Sequence, residues 1–174
     1  MTDQAFMKLS VETSMNNILT ESGGPFGAVI VDSKTNKVVA NLGNSVTSTN
    51  DPTAHAEVVA IRKACKELNS FQLDDCIIYT SCEPCPMCLG AIYWARPKKV
   101  YYACTREDAA NIGFDDEYIY EEIKKNKEDR KIPMNSCDNT IAKQIFKKWF
   151  DNINTDIRIK HELHQKLSRL SSSG

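Results

Sequence analysis

Apolar positions at Phe6, Leu9, Val11, Met15, Ile18 and Leu19 recur at roughly helical spacing and predict an amphipathic helix over residues 3–20. ESGGPFG ends it, with Gly23 and Gly24 as breakers. AVIVDS then reads as a strand, KTNK as a turn and VVANLGN as a second strand, which together make a hairpin. NDPTAHAEVVAIRKACKEL is helical in pattern from about Pro52, with Asp51 or Thr53 as N-cap. CIIYTS is short and β-rich, the pattern of a buried strand, and LGAIYWA is a further helix. KKVYYAC predicts a fourth strand and REDAANIGFDDEYIYEEIKKNKEDR helical pieces around Gly113. IPMNSC is read as a fifth strand and TIAKQIFKKWFDNI as a helix.

The expected order is therefore α-β-β-α-β-α-β-α-β-α. It implies an α/β protein: a three-layer α/β/α sandwich around a mixed, five-stranded sheet. One domain is expected over 1–155. Residues 156–174 are expected to form a basic helical extension with Ile157, Ile159, Leu163, Leu167 and Leu170 on a loose stripe and a disordered end at SSSG.

Composition narrows the function. Among 174 residues, 41% are hydrophobic and 26% charged, as in ordinary globular proteins. The net charge of −1 supplies no global field toward nucleic acid or anionic membrane, so neither is expected as a partner. No stretch approaches the ~18 apolar residues of a spanning helix. The opening lacks the basic flank and apolar run of a signal peptide, so a cytoplasmic location is expected. Seven cysteines, an odd number, then read as metal ligands or spacers rather than a disulfide framework.

Three of the seven crowd into TSCEPCPMCLG, residues 80–90. If Ser81 or Glu83 caps a helix whose first turn holds Pro84, Cys85 and Pro86, the prolines cost little, because first-turn N–H groups have no intrahelical partner. Cys85 and Cys88 then share one face at the positive end of the helix, where thiolates are favoured. Two thiolates make half of a tetrahedral zinc site. Of the three histidines, His161 and His164 lie in the polar tail, whereas His55 opens a predicted helix. Three protein ligands leave one coordination position open, which is the catalytic arrangement. Glu57 sits two residues from His55, placed to face a water rather than the metal. His-x-Glu followed by Pro-Cys-x-x-Cys is the signature of zinc-dependent nucleobase deaminases, with the glutamate as proton shuttle. The competing reading is a structural zinc on Cys82, Cys85, Cys88 and His55 in a binding module; it leaves Glu57 without a role. Cys82, Cys65, Cys76, Cys104 and Cys137 are otherwise read as buried or half-buried spacers.

HAEVVAIRKACKEL, YTSCEPCPMCLGAIYWARP and GFDDEYIY, preceded by GGPFGAVIV and NDPTAHAE, closely resemble the guanine deaminases of the cytidine deaminase superfamily, from about Gly23 to Pro133. The resemblance implies a cytidine deaminase-like fold, a homodimer and one zinc per subunit on His55, Cys85 and Cys88, with Glu57 moving protons. It also implies that Asn44 hydrogen-bonds a purine and that Asp116 accepts from its N–H groups. The Ala56 main chain, Phe26 and Trp94 would shape the pocket. Guanine is the expected substrate, with guanosine as the alternative and a tRNA adenosine as a more distant one.

Overall fold

Asp3–Leu19 forms α1. Thr2 caps it, its hydroxyl accepting from the Ala5 N–H at 3.3 Å, and Asp3 in the first turn suits the positive end of the helix. The structure, a computed structural model, describes residues 2–137 and 139–153. The chain divides into two compact units, Met1–Lys124 and Lys125–Gly174.

In the first unit, β1 (Gly27–Asp32) and β2 (Lys37–Gly43) form the expected hairpin, antiparallel, with an irregularity at Ile30/Val31. The turn needs a left-handed residue, and Asn36 at φ 57° supplies it. β3 (Cys76–Cys82) runs antiparallel to β1 and parallel to β4 (Lys99–Cys104), so the order is β2-β1-β3-β4. Between these strands come α2 (Val46–Thr49), α3 (Ala56–Glu67) and α4 (Pro86–Ala95). After β4 come α5 (Arg106–Ala110) and α6 (Glu117–Lys124).

The two-residue period of the strands sorts the core into two layers. Val29, Val31 and Tyr79 face Phe6 of α1. Ala28, Ile30, Cys76 and Ile78 face the opposite side, where Ala56, Ala60 and Ala64 of α3 and Ile92 and Ala95 of α4 meet them. Alanines spaced by four on α3 let that helix lie close to the sheet. Helices thus cover both faces, as the sequence predicts.

The sheet has four strands among the described residues, not five. Residues 132–137 form no strand. Pro133 lacks the N–H that a ladder requires, and the segment belongs to the second unit. Among the described residues, that unit contains a 3-10 turn, Lys127–Asp129, and α7, Thr140–Ile153. Ile141, Ile145, Phe146, Trp149 and Phe150 of α7 are exposed. The expected boundary at 155–156, the extension beyond it, His161 and His164 all lie outside the described residues. No described helix is long and apolar enough to cross a membrane.

Candidate metal centre and substrate cavity

Two helix starts meet at one point. His55 is the N-cap of α3 and Cys85 the N-cap of α4, both with extended backbone (ψ 153° and 168°), and neither side chain caps its own helix. Both helices therefore begin later than their sequence pattern predicts. Around Asp51 the chain makes a side-chain-stabilised turn instead, its carboxylate accepting from the Thr53 N–H at 2.8 Å and hydroxyl at 2.6 Å. At Cys85 the cause is Pro86, which keeps the preceding residue out of the helical region. Extended backbone at both positions turns the imidazole and thiol off the helix ends toward each other.

His55 Nδ1 lies 3.5 Å from Cys85 Sγ and 3.5 Å from Cys88 Sγ. Tetrahedral zinc with bonds of about 2.3 Å to sulfur and about 2.0–2.1 Å to nitrogen requires N and S about 3.6 Å apart, so these three donors fit the metal. They are the His/Cys/Asp/Glu set among the described residues whose ligand atoms converge, all within 4.8 Å of one another. Cys82 is not in the set; its thiol instead donates to the Thr105 carbonyl at 3.5 Å. That removes the four-ligand structural alternative and leaves one position for a non-protein ligand.

Glu57 lies in the first turn of α3, two residues after His55, and is 6% exposed. Thr80 Oγ1 donates to its Oε1 at 2.9 Å, and the Cys88 thiol donates to its Oε2 at 3.4 Å. Burial raises the Glu57 pKa, opposed by its own N–H, Thr80 and Cys88. A hydrogen bond from Cys88 pulls the Cys85 thiol down to about 4, with His55 adding to the effect. The Cys88 thiol is pushed up by the same bond and by burial. Cys85 in turn raises the His55 pKa, against burial. The centre is thus built to hold negative sulfur beside a positive partner, the character of a cation site.

A cavity of about 550 Å³ opens on this centre, within the range of small-molecule sites. His55, Glu57 and Cys85 form its floor, and Asn44, Phe26 and Asp116 also line it. Asn44 Oδ1 accepts from the Val46 N–H at 3.2 Å, which commits the oxygen to its own loop and leaves Nδ2 to serve the cavity. Burial raises the Asp116 pKa, and negative Cys85 adds to it. Ala56 and Trp94 are not among the residues that line this cavity. Ala56 is fully buried against the sheet. Trp94 is 78% exposed, because α4 turns Cys88, Ile92 and Ala95 inward and Trp94 sits two residues from Ile92, on the other face. Cys104 and Cys137 are exposed, not buried spacers.

Three contributors carry no signal in the sequence pattern. Phe114 meets Phe26 edge-on, centroids 4.9 Å apart at 88°, and closes one side of the cavity. Asn17 of α1 donates through Nδ2 to the Asn44 carbonyl at 2.7 Å and the Gly24 carbonyl at 2.9 Å, pinning both cavity loops. Gly23 allows that approach: a Cβ there would sit 2.1 Å from the Asn44 carbonyl oxygen. The third is Thr80, the partner of Glu57.

The cytidine and deoxycytidylate deaminase zinc-binding region matches residues 1–104. Guanine deaminase of Bacillus subtilis (strain 168) is 56% identical over 149 residues, 86% of this chain and 94% of that protein. The X-ray structure of guanine deaminase from Bacillus subtilis superposes with a TM-score of 0.84 at 54% identity, covering 87% of this chain and 95% of that one. A guanine deaminase structure from Nitrosomonas europaea gives 0.63 at 31% identity over 66% of this chain and 65% of its own. The tRNA-specific adenosine deaminase of Aquifex aeolicus is 43% identical, but over 45% of this chain and 51% of that protein. A match that takes in His55, Glu57, Cys85 and Cys88 together, and a relative more than half identical over most of both chains, lead to one conclusion: this chain belongs to the cytidine and deoxycytidylate deaminase family of zinc-binding deaminases.

Proposed function

We propose that this protein is a zinc-dependent guanine deaminase that hydrolyses guanine to xanthine and ammonia. The observation that carries it is the imidazole of His55 3.5 Å from both Cys85 and Cys88, with the Glu57 carboxylate at the same cavity floor. Similarity to the Bacillus subtilis guanine deaminase over most of both chains supports guanine as the base. His55, Cys85 and Cys88 hold the zinc, which when bound supplies a Lewis acid that makes water nucleophilic near neutral pH.

The chain's own groups do the rest. Glu57 accepts a proton from the attacking water, delivers it to the ring nitrogen beside the amino-bearing C2, and then helps protonate the departing amine. Asn44 Nδ2 donates to an acceptor on the purine edge, and Asp116 accepts from a ring or amino N–H. Phe26 and Phe114 supply apolar wall. A base of the wrong pattern leaves the buried Asn44 amide and the half-buried Asp116 carboxylate unpaired, which is the source of selectivity.

Zinc-loaded protein given guanine, guanosine, adenine and cytosine separately, with ammonia measured, tests the reading. Release from guanine above all others is expected; no release from guanine overturns it. Guanosine is the second reading, because the cavity wall also includes Glu83 and Arg106, polar groups of the kind that hydrogen-bond a sugar. The same reading carries a homodimer, tested by sedimentation, in the cytoplasm.

A further inference from the structure

We propose that Thr80 is the positioning residue for the proton carrier: its hydroxyl holds one oxygen of Glu57 so that the other faces the metal centre. The proposal rests on the function above for its activity readout. The geometry divides the carboxylate's labour. Oε1 accepts from Thr80 Oγ1 at 2.9 Å, while Oε2 is the oxygen beside Cys88, at 3.4 Å, and so beside the ligand set. Thr80 is itself 1% exposed and does not line the cavity, so it acts only through Glu57.

The donor is rigid for two reasons. Thr80 lies in the central strand β3, paired with Ala28 of β1 on one side and Tyr102 of β4 on the other. Its β-branched side chain has few rotamers. The acceptor is the opposite. Glutamate has three side-chain torsions, and the last is broad and roughly two-fold. A carboxylate at a helix start, with metal ligands on one side and strand on the other, needs an anchor to keep one oxygen aimed. Cys88 cannot be that anchor once it binds a metal, because a ligating thiol gives up its proton. Thr80 is the side-chain donor that remains.

Thr80→Val keeps the shape and deletes the donor, Thr80→Ser keeps the donor and deletes the methyl, and Thr80→Ala guards against overpacking. In zinc-loaded protein, Thr80→Val and Thr80→Ala should lower kcat for guanine by about tenfold to a hundredfold, the worth of one hydrogen bond to a charged group. KM should stay within about twofold, since no substrate contact is removed. Zinc content should not change, and Thr80→Ser should restore most of the rate. Normal kcat in Thr80→Val, or a Thr80→Ser loss as deep as the valine's, overturns the proposal. If the wild-type protein does not turn over guanine, the function above fails separately. Crystal structures of zinc-loaded wild type and Thr80→Val then decide: a rotated Glu57 carboxylate supports positioning, and an unmoved one overturns it.

Discussion

Glu57→Gln separates chemistry from architecture at this site. Glutamine matches glutamate in length, so its carbonyl oxygen can accept the Thr80 hydrogen bond now made at 2.9 Å. It does not ligate the metal, so His55, Cys85 and Cys88 are left as they are. What disappears is a group able to take up and release a proton. General acid–base catalysis is worth about 10²–10⁴ in rate, or about 2.7–5.5 kcal/mol of barrier. The kcat for guanine should fall by that factor, read as ammonia release. Zinc content should remain one per chain. Stability should move the other way. Glu57 is 6% exposed and burial disfavours its charged form, so the neutral amide removes a desolvation cost and the melting temperature should hold or rise. A variant that keeps more than about a tenth of its kcat would falsify the proton-carrying role. Lost zinc would instead show that Glu57 helps to hold the centre together.

Asn17→Leu strips the buried Asn44 carbonyl of its side-chain donor and leaves the half-buried Gly24 carbonyl with the Phe26 N–H. It should cost about 1–3 kcal/mol in denaturant unfolding and raise KM for guanine, and an unchanged KM would mean the loops hold themselves. Phe114→Ala removes the edge-on partner of Phe26. It should raise KM by about twofold to tenfold, the worth of one aromatic pair, and a normal KM would remove Phe114 from the site. Burial pushes the Cys76 thiol up to about 11. Its folded pKa is thus raised above that of the unfolded chain, which sheds its proton first as pH climbs. Stability present below pH 9 should be lost as pH rises from 9 through 11. Cys76→Ala should flatten that limb in pH-dependent unfolding, and an unchanged limb would place the effect elsewhere.

The elements were legible where side-chain period and burial agree. α1, the hairpin, β3 and β4 follow from alternation or from short apolar runs, because the same faces that repeat in the sequence are those the two core layers bury. α2 was not legible: four residues, VTST, span barely one turn and cannot display a period. The fifth strand failed for the opposite reason. IPMNSC has the apolar look of a strand, but pattern does not report whether a neighbour exists to pair with, and Pro133 could not complete a ladder. The sequence pattern starts α3 and α4 too early because helix propensity continues through residues that the Asp51 turn and Pro86 hold out of the helix.

The site divides along a different line. A metal restricts its ligands to a few residue types, and a helix start fixes their spacing, so His55, Cys85 and Cys88 stand out in two short segments, with Glu57 beside the first. The groups that support them face no such restriction. A carboxylate oxygen can be held by a hydroxyl, an amide or a main-chain N–H, and a loop carbonyl can be pinned by any buried donor. Thr80 reaches Glu57 across 23 positions and Asn17 reaches Asn44 across 27, and both are residue types that usually sit at surfaces. Only burial turns them into fixed donors, and burial is a property of the folded chain. Trp94 makes the same point in reverse: an aromatic on the helix that carries Cys88, yet two residues beyond inward-facing Ile92 it lies on the outward face, so proximity in sequence to Cys88 is no measure of proximity to the cavity.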